Sequence, residues 1–586
     1  MRRLPAVKSS TVGVWTDHSP GPAGMACGTT SRSAVARNSG DLLADVTAEG
    51  ERAGGAGTSA GTASQNAPAG GAPAAPATAQ EETQETAQET TERARRGVLP
   101  LLGAHWPFLI VLAVAAALRC VVILGYPPIL WYSDSYNYIA DAVAKAPDIV
   151  RSDGYPLFLY ILLPFHNLTL IAALQALMGL AMGAAIYAVL RRRGLPWWGA
   201  TLPALPVLFD VYEMQIEHMV MSDVLFIFLV TVALAALCWF DRPPVLLCAA
   251  AGLMIGYAGI VRSVGEPLLI VLVAGLLLRR VDWKRTAVLL VAGVLPIAGY
   301  MVWYHGFFGQ YALDTSSGTF LYSRVSTFAE CSQMRLPADL KVLCDPTPPA
   351  QRPTSQAYLW SIDTPLYKFS HGNQFSPAAN KMAGQFARDA IESQPLAYAR
   401  AVLKDTLHTF TWNRTQSDLT GSGPSFQFEP VVAPVTADKT LWWVMYYPQD
   451  KSALLRYAGP SLGQPTVTKP FSSIIQAYQK VFYLRGTMLG VILLLGAAGI
   501  IARWRRWGGL ALLPWAVAAV LIVLPPMTAG FSYRYVLTAV PMAWLAAGLA
   551  LSREPRSSRK AARPAATKPP QAPAATEPPQ ARTAAE

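Results

Sequence analysis

The residues best suited to chemistry are an aspartate and a tyrosine four positions apart, where the first long apolar segment gives way to a polar loop. Asp134 and Tyr138 share a face if this stretch is helical, and Asp141 lies one turn further on. A carboxylate is ionised at neutral pH and can accept a proton from an attacking hydroxyl or amine, more strongly if burial raises its pKa. The alternative is that these acids only solvate an amphipathic helix on a membrane surface.

The segments that must position these residues are strongly apolar. The chain has 586 residues, of which 52% are hydrophobic and 14% are charged. About ten apolar segments approach the length of roughly 20 residues that a membrane-crossing helix needs. They lie near residues 105–125, 168–190, 195–209, 222–240, 244–261, 266–278, 286–304, 483–502, 508–528 and 533–551. We therefore predict an all-α polytopic membrane protein with about ten transmembrane helices.

Basic residues between these segments predict the orientation. If the chain crosses at every segment, all the basic clusters fall on one face, which the positive-inside tendency identifies as cytoplasmic. The clusters are Arg93, Arg95 and Arg96; Arg191 to Arg193; Arg279, Arg280, Lys284 and Arg285; Arg503, Arg505 and Arg506; and Arg553, Arg556, Arg559 and Lys560. We predict a plasma-membrane protein with both termini in the cytoplasm. The net charge of +12 then reflects orientation and not binding to nucleic acid.

Domain boundaries follow from this arrangement. The two ends are rich in small and polar residues and in proline, so they are predicted to be disordered tails. The predicted parts are the tail 1–98, an N-terminal transmembrane module 99–304 with a first outer loop 126–167, a mixed, α-rich extracytoplasmic domain 305–482, C-terminal transmembrane helices 483–552 and a basic, Pro/Ala-rich tail 553–586. Cys331 and Cys344 both fall in the outer domain. An oxidising compartment favours a disulfide between them, and two unpaired thiols are the alternative.

The order of these features resembles that of the GT-C membrane glycosyltransferases, especially the protein O-mannosyltransferases and the lipid A aminoarabinose transferases. The features that carry the resemblance are Arg119 in the first helix, Asp134 and Tyr138 in the first outer loop, Gly154-Tyr155-Pro156, Ser222-Asp223, residues 390–398 and residues 531–535. One departure concerns the first loop, where many members have two adjacent acids but Ser135 follows Asp134. Asp153 or Asp141 is then left as the second carboxylate.

The resemblance implies transfer of a sugar from a polyprenyl-phosphate donor to an extracytoplasmic protein, lipid or glycan, with inversion. Asp134 would be the general base, assisted by Asp153. Binding of the donor is assigned to Tyr138, Tyr155, Arg262, Arg485 and Arg534. Arginine suits a departing phosphate because its planar fork donates two parallel hydrogen bonds. The alternative for each arginine is that it reaches lipid headgroups, and Arg119 is expected to pair with an acid or a carbonyl inside the bundle.

Other interpretations stay open on the sequence alone. Glu213, Glu217 and His218 could contribute to a metal site, but they are an incomplete ligand set and fit a solvated helix end better. No metal is therefore assigned, although some GT-C enzymes use a divalent cation. A transporter or flippase of lipid-linked sugars would also explain the helices and the intramembrane arginines, and a non-catalytic envelope-assembly protein would explain the outer domain.

Overall fold

The computed structural model describes residues 103–413, 426–435, 451–460, 463–504 and 509–552, which belong to one compact unit. Within these ranges the regular elements are helices, together with one isolated bridge between Leu130 and Met219. The predicted tails 1–98 and 553–586 lie outside the described residues.

From residue 103 to residue 308, a range that the structure describes throughout, the chain forms eleven α-helices. They are α1 (Gly103–Gly125), α2 (Ser133–Ala144), α3 (Gly154–Leu162), α4 (Leu168–Arg192), α5 (Trp197–Thr201), α6 (Leu205–Phe209), α7 (Val211–Glu217), α8 (Asp223–Trp239), α9 (Val245–Val261), α10 (Glu266–Leu278) and α11 (Trp283–Phe308). The helices of the second half are α12 (Ser317–Val325), α13 (Ser355–Trp360), α14 (Pro365–Phe369), α15 (Pro377–Ser393), α16 (Pro395–His408), α17 (Lys451–Ala458), α18 (Phe471–Tyr478), α19 (Gly486–Ala502), α20 (Leu512–Thr528), α21 (Tyr533–Leu537) and α22 (Val540–Leu551).

Five helical stretches among the described residues are long and apolar enough to cross a membrane, which indicates a helical membrane protein. They are α1, α4, α11, Gly509–Thr528 and Tyr533–Leu551. The other five predicted crossings coincide with shorter apolar stretches of 10–17 residues. Several of these are short because a proline or an arginine interrupts them, as at Pro203 and Arg262. The count of ten crossings therefore stays a prediction.

Close helix packing depends on small residues. A Cβ atom on Gly252 would lie 2.2 Å from the carbonyl oxygen of Leu289, and one on Gly256 would lie 2.0 Å from that of Gly293. The backbones of α9 and α11 therefore touch along this line, as is common where helices pack through small residues in membranes. This contact holds the end of α9, which carries Arg262, against the long helix α11.

The outer segment has a hydrophobic core of its own. Helices α12 and α15 supply half of its buried residues, among which Tyr322 and Phe386 are fully buried. A disulfide joins Cys331 to Cys344 beside this core. The described part of 305–482 contains helices and irregular segments but no strand, so the predicted mixed character is wrong there, and α11 runs past the predicted boundary at residue 305.

Candidate active site

Asp134 is buried between two arginines from distant parts of the chain. Its Oδ1 accepts a hydrogen bond of 2.8 Å from Arg151, and its Oδ2 accepts one of 3.0 Å from Arg534. Only 5% of the Asp134 surface is exposed. A buried carboxylate with both oxygens on guanidinium groups remains charged, because the pairing offsets its desolvation.

A second buried carboxylate extends this network. Asp223 begins α8, is 1% exposed, and its Oδ1 accepts a hydrogen bond of 2.6 Å from Arg262. The same oxygen lies 3.7 Å from Nε of Arg534. Arg534 thus stands between the two carboxylates. We call Arg151, Arg262 and Arg534 the arginine cluster.

Backbone pairing brings the two carboxylates together. The amide of Leu130 donates to the carbonyl of His218 (2.9 Å), and the amide of Val220 donates to Leu130 (3.3 Å). Ser135, in the first turn of α2, also donates its hydroxyl to the carbonyl of Val220 at 2.9 Å. The start of α2 is therefore fastened to the segment that leads into Asp223. Neither sequence segment alone predicts this pairing.

A glycine places Arg262 beside this pair. A Cβ on Gly154 would lie 2.5 Å from the backbone of Ile260, so α3 can approach the end of α9 only because residue 154 has no side chain. The hydroxyl of Tyr257 donates to the carbonyl of Gly154 at 2.8 Å and fixes the contact. The Gly-Tyr-Pro motif therefore has a packing role, which aligns α9 and its terminal Arg262 with the first loop.

The arginine cluster lines a cavity of about 540 Å³. Its other polar residues include Tyr138, Ser222, Glu266, Asp314 and Tyr535, and its apolar side includes Leu524, Pro525 and Ala529. Asp134 and Asp223 lie behind the arginines and are not part of the lining. The cavity thus combines cationic, hydroxyl, acidic and apolar surfaces, which suits a ligand that is both charged and amphipathic.

The pKa of Asp134 moves in the direction opposite to the sequence-based expectation. Burial by itself would raise it, but the charges of Arg151 and Arg534 hold the pKa of Asp134 below its ordinary value of 3.8. Asp134 is therefore a weaker base than an exposed aspartate. Asp314, which faces the cavity, has a pKa raised by burial, although its Oδ1 accepts hydrogen bonds from the amide and hydroxyl of Ser316.

The predicted donor-binding residues divide into two groups. Tyr138 lines the cavity, shares a hydrogen bond of 3.1 Å with Ser222, and has a pKa raised to about 12 by burial and by Asp134. Tyr155 is fully buried and donates to Gln175 at 2.7 Å, which indicates a packing role. Arg485 lies 3.7 Å above the ring of Tyr483, outside the arginine cluster and outside the cavity lining.

Asp153 belongs to a separate acidic group. Its Oδ2 accepts hydrogen bonds from the amide of Asp148 (2.9 Å) and the hydroxyl of Tyr300 (2.8 Å), and it is not part of the cavity lining. Burial, followed by the charge of Asp148, raises the pKa of Asp153 well above 3.8. These contacts orient the loop that carries Arg151 and give Asp153 a positioning role.

Arg119 pairs inside the bundle, as predicted. Its Nε and Nη2 donate to the two carboxylate oxygens of Glu217, both at 2.7 Å, and its Nη1 donates to the carbonyl of Leu208 at 2.9 Å. The prediction that Glu213, Glu217 and His218 form a solvated helix end is wrong, because all three are at most 3% exposed. No group of three or more His, Cys, Asp or Glu side chains suited to a metal ion occurs among the described residues.

Three site residues were not assigned from the sequence. Arg151 and Asp314 lie in loops without a motif, and Asp223 was noted only as part of Ser222-Asp223. A charge flanked by apolar residues next to a predicted helix end was the available signal for Asp223. No protein-family model matches the chain, and no curated protein and no solved structure is significantly similar to it.

Proposed function

We propose that this protein is a membrane glycosyltransferase of the GT-C type, which moves a sugar from a polyprenyl-phosphate donor to an extracytoplasmic acceptor. The arginine cluster around the cavity is the observation that supports this proposal. Its three guanidinium groups carry one more charge than Asp134 and Asp223, so the cluster can accept an anion without complete loss of its ion pairs. The planar guanidinium group of arginine suits a phosphate better than the ammonium group of lysine does, because it can donate two parallel hydrogen bonds.

The cavity fits the three parts of such a donor. The arginine cluster would bind the phosphate and stabilise it as it departs, since charge builds up there during the displacement. Serine hydroxyls and the acids at the cavity wall would bind the sugar. The apolar side at Leu524, Pro525 and Ala529 would receive the start of the isoprenoid chain. A volume of about 540 Å³ lies in the range typical of small-molecule sites.

Two carboxylates are candidates for the general base. Asp134 was predicted from the sequence, but both its oxygens are held by arginines. Asp314 faces the cavity and has a raised pKa, which matches better the proton transfer from an acceptor hydroxyl. We therefore assign Asp314 as the base, and Asp134 as the residue that orients Arg151 and Arg534. A single displacement by the acceptor inverts the anomeric carbon.

The proposal includes an orientation. The cavity would face the outside of the plasma membrane, about ten helices would cross it, and both termini would be cytoplasmic. Contacts of the basic residues support this arrangement: Arg193 and Arg279 both donate to carbonyls at the end of α8, and Arg503 donates to the carbonyl of Ser552, which directly follows α22. Residues predicted to share the cytoplasmic side thus lie together.

Binding of the donor's phosphate can be measured on the purified full chain in detergent. A polyprenyl monophosphate is titrated against wild type, Arg262→Gln and Arg534→Gln, with the matching polyprenol as the uncharged probe. Loss of a charge-assisted hydrogen bond costs about 1.5–3 kcal/mol, so each variant should bind at least tenfold more weakly. Arg485→Gln is the matched control and should bind normally. Equal affinity for the phosphate and the alcohol would contradict the proposal.

Catalysis is tested separately from binding. Cells that lack the gene are complemented with wild type, Asp314→Asn or Asp134→Asn, and their envelope glycans are compared by mass spectrometry. Asp314→Asn should lose transfer while its protein still binds the polyprenyl monophosphate, whereas Asp134→Asn should weaken both. A flippase would instead move a lipid-linked sugar across proteoliposomes without releasing polyprenyl phosphate, and a non-catalytic protein would tolerate both substitutions.

A further inference from the structure

A second cavity of about 440 Å³ lies apart from the candidate active site, and no residue lines both. Among the described residues, its lining combines three basic side chains with aromatic and apolar ones and includes no acid. The residues are Lys145, Tyr160, Ile161, Leu163, Pro164, His166 and Arg456. We call this cavity the basic groove.

The basic groove lies at the start of a candidate membrane crossing. His166 precedes the first residue of α4, Leu168, by only two positions. Ile161 is 68% exposed and Phe165 is 64% exposed, and both belong to the apolar stretch Gly154–Phe165, which is too short to cross a bilayer. Exposed apolar side chains at this position would face lipid. The basic groove is therefore at the level where phospholipid phosphates lie.

The three basic side chains of the basic groove have no acidic partner among the residues that the structure describes. Lys145, His166 and Arg456 are exposed, and none of them forms an ion pair with a described residue. Lys145 instead lies 4.8 Å above the ring of Tyr160. Lys145 and His166 both have positive φ angles, of 56° and 46°, which glycine would adopt more easily. Two basic side chains thus occupy positions where the backbone does not favour them.

The framework of the basic groove is rigid. Tyr457, next to Arg456, is buried and donates its hydroxyl to the carbonyl of Leu159 at 2.9 Å. This bond and the burial of Leu454 fasten α17 against α2 and α3. Arg456, Lys145 and His166 therefore line one cavity from three separate parts of the chain.

We propose that the basic groove binds the phosphate of an anionic membrane phospholipid, whose acyl chains lie along Ile161 and Phe165. Cationic side chains attract anionic headgroups, and the exposed apolar surface beside them accommodates the chains. The site is independent of the glycosyl-transfer proposal, because it shares no residue with the cavity at the arginine cluster. It requires only that α4 enters the bilayer at Leu168.

The test uses the full chain in detergent and three probes: phosphatidylglycerol, phosphatidylcholine and inorganic phosphate. Wild type should bind phosphatidylglycerol and discriminate against phosphatidylcholine. Since each basic side chain near a membrane surface contributes about fivefold, Lys145→Gln/Arg456→Gln should bind phosphatidylglycerol about 25-fold more weakly. The matched control is Arg335→Gln/Lys341→Gln, which removes two exposed charges from the outer segment and should bind like wild type.

The outcomes separate the sources of the phosphate. Recovery of affinity in Lys145→Arg/Arg456→Lys would support recognition by charge and show that the double variant fails through its lost charges and not through misfolding. Equal binding of the two phospholipids, or unchanged affinity in Lys145→Gln/Arg456→Gln, would overturn the proposal. If inorganic phosphate competed as strongly as phosphatidylglycerol, the phosphate that binds would not have to belong to a lipid, and this part of the proposal would be overturned.

Discussion

Asp134 is buried yet remains ionised, because Arg151 and Arg534 each donate to one of its oxygens. Desolvation alone would favour the neutral acid, and the two guanidinium charges outweigh it. The carboxylate in turn supplies the counter-charge for these two arginines, which line the cavity. The contacts of Asp134 thus fit a residue that orients Arg151 and Arg534 better than they fit a general base.

The lowered pKa of Asp134 makes the contribution of this carboxylate to the stability of the protein depend on pH. Its folded-state pKa lies below the ordinary value, so its contribution is complete above about pH 4 and disappears as the pH falls through the folded-state pKa. Asp134→Asn should unfold at a lower temperature than wild type, by a margin that is constant from about pH 5 to pH 8 and shrinks below about pH 4. Thermal unfolding in detergent measures this margin. A margin that changes between pH 5 and pH 7 would show that Asp134 is not held ionised.

At the scale of elements, the packing of α1, α4 and α7 depends on one glycine. A Cβ on Gly179 of α4 would lie 1.8 Å from Oε1 of Glu217 and 2.9 Å from Nη2 of Arg119. Both side chains are at most 3% exposed, so a methyl group at position 179 would have to displace the carboxylate of Glu217 within a buried ion pair. The missing side chain of Gly179 is therefore a condition for joining α1 to α7.

Gly179→Ala should consequently disrupt the buried ion pair between Arg119 and Glu217. Breaking a buried pair costs about 3–5 kcal/mol, so a large fall in thermal stability is expected. Glu217→Gln should cause a similar fall, and combining it with Gly179→Ala should add little, because both changes remove the same interaction. The matched control is Gly299→Ala in α11, where a Cβ meets nothing within 4 Å. Additive losses would mean that Gly179 acts through other contacts.

At the scale of the whole molecule, the proposed orientation places the outer segment and the basic loops on opposite sides of the membrane. Lys381 of α15 and Lys284 of α11 are exposed and represent the two sides. Intact cells that carry Lys381→Cys should react with a membrane-impermeant maleimide, and cells that carry Lys284→Cys should react only after permeabilisation. Cys120 is exposed, so both variants are made in a chain in which Cys27 and Cys120 are replaced by serine, whereas Cys238 and Cys248 are buried and contribute little background. The reverse labelling pattern would place the cavity on the cytoplasmic side and exclude an extracytoplasmic acceptor.

The helices and several candidate site residues of this protein can be predicted from local features of the sequence. Long apolar runs and basic clusters predicted apolar helices at all ten positions, because burial in lipid and headgroup charge act on each segment separately. The sequence likewise predicted Asp134, Tyr138, Arg262 and Arg534, since a charge or hydroxyl beside an apolar helix needs a polar partner.

Only the tertiary structure decided which partners these residues have. Arg534 and Asp134 are 400 positions apart in the sequence, and no periodic pattern in the sequence predicts their contact. The direction of the Asp134 pKa shift followed from its arginine partners and not from burial. Arg485 stacks on Tyr483 and does not line the cavity. Helix formation depends on neighbours a few positions away, whereas a buried site depends on which helices the packing of small residues brings together.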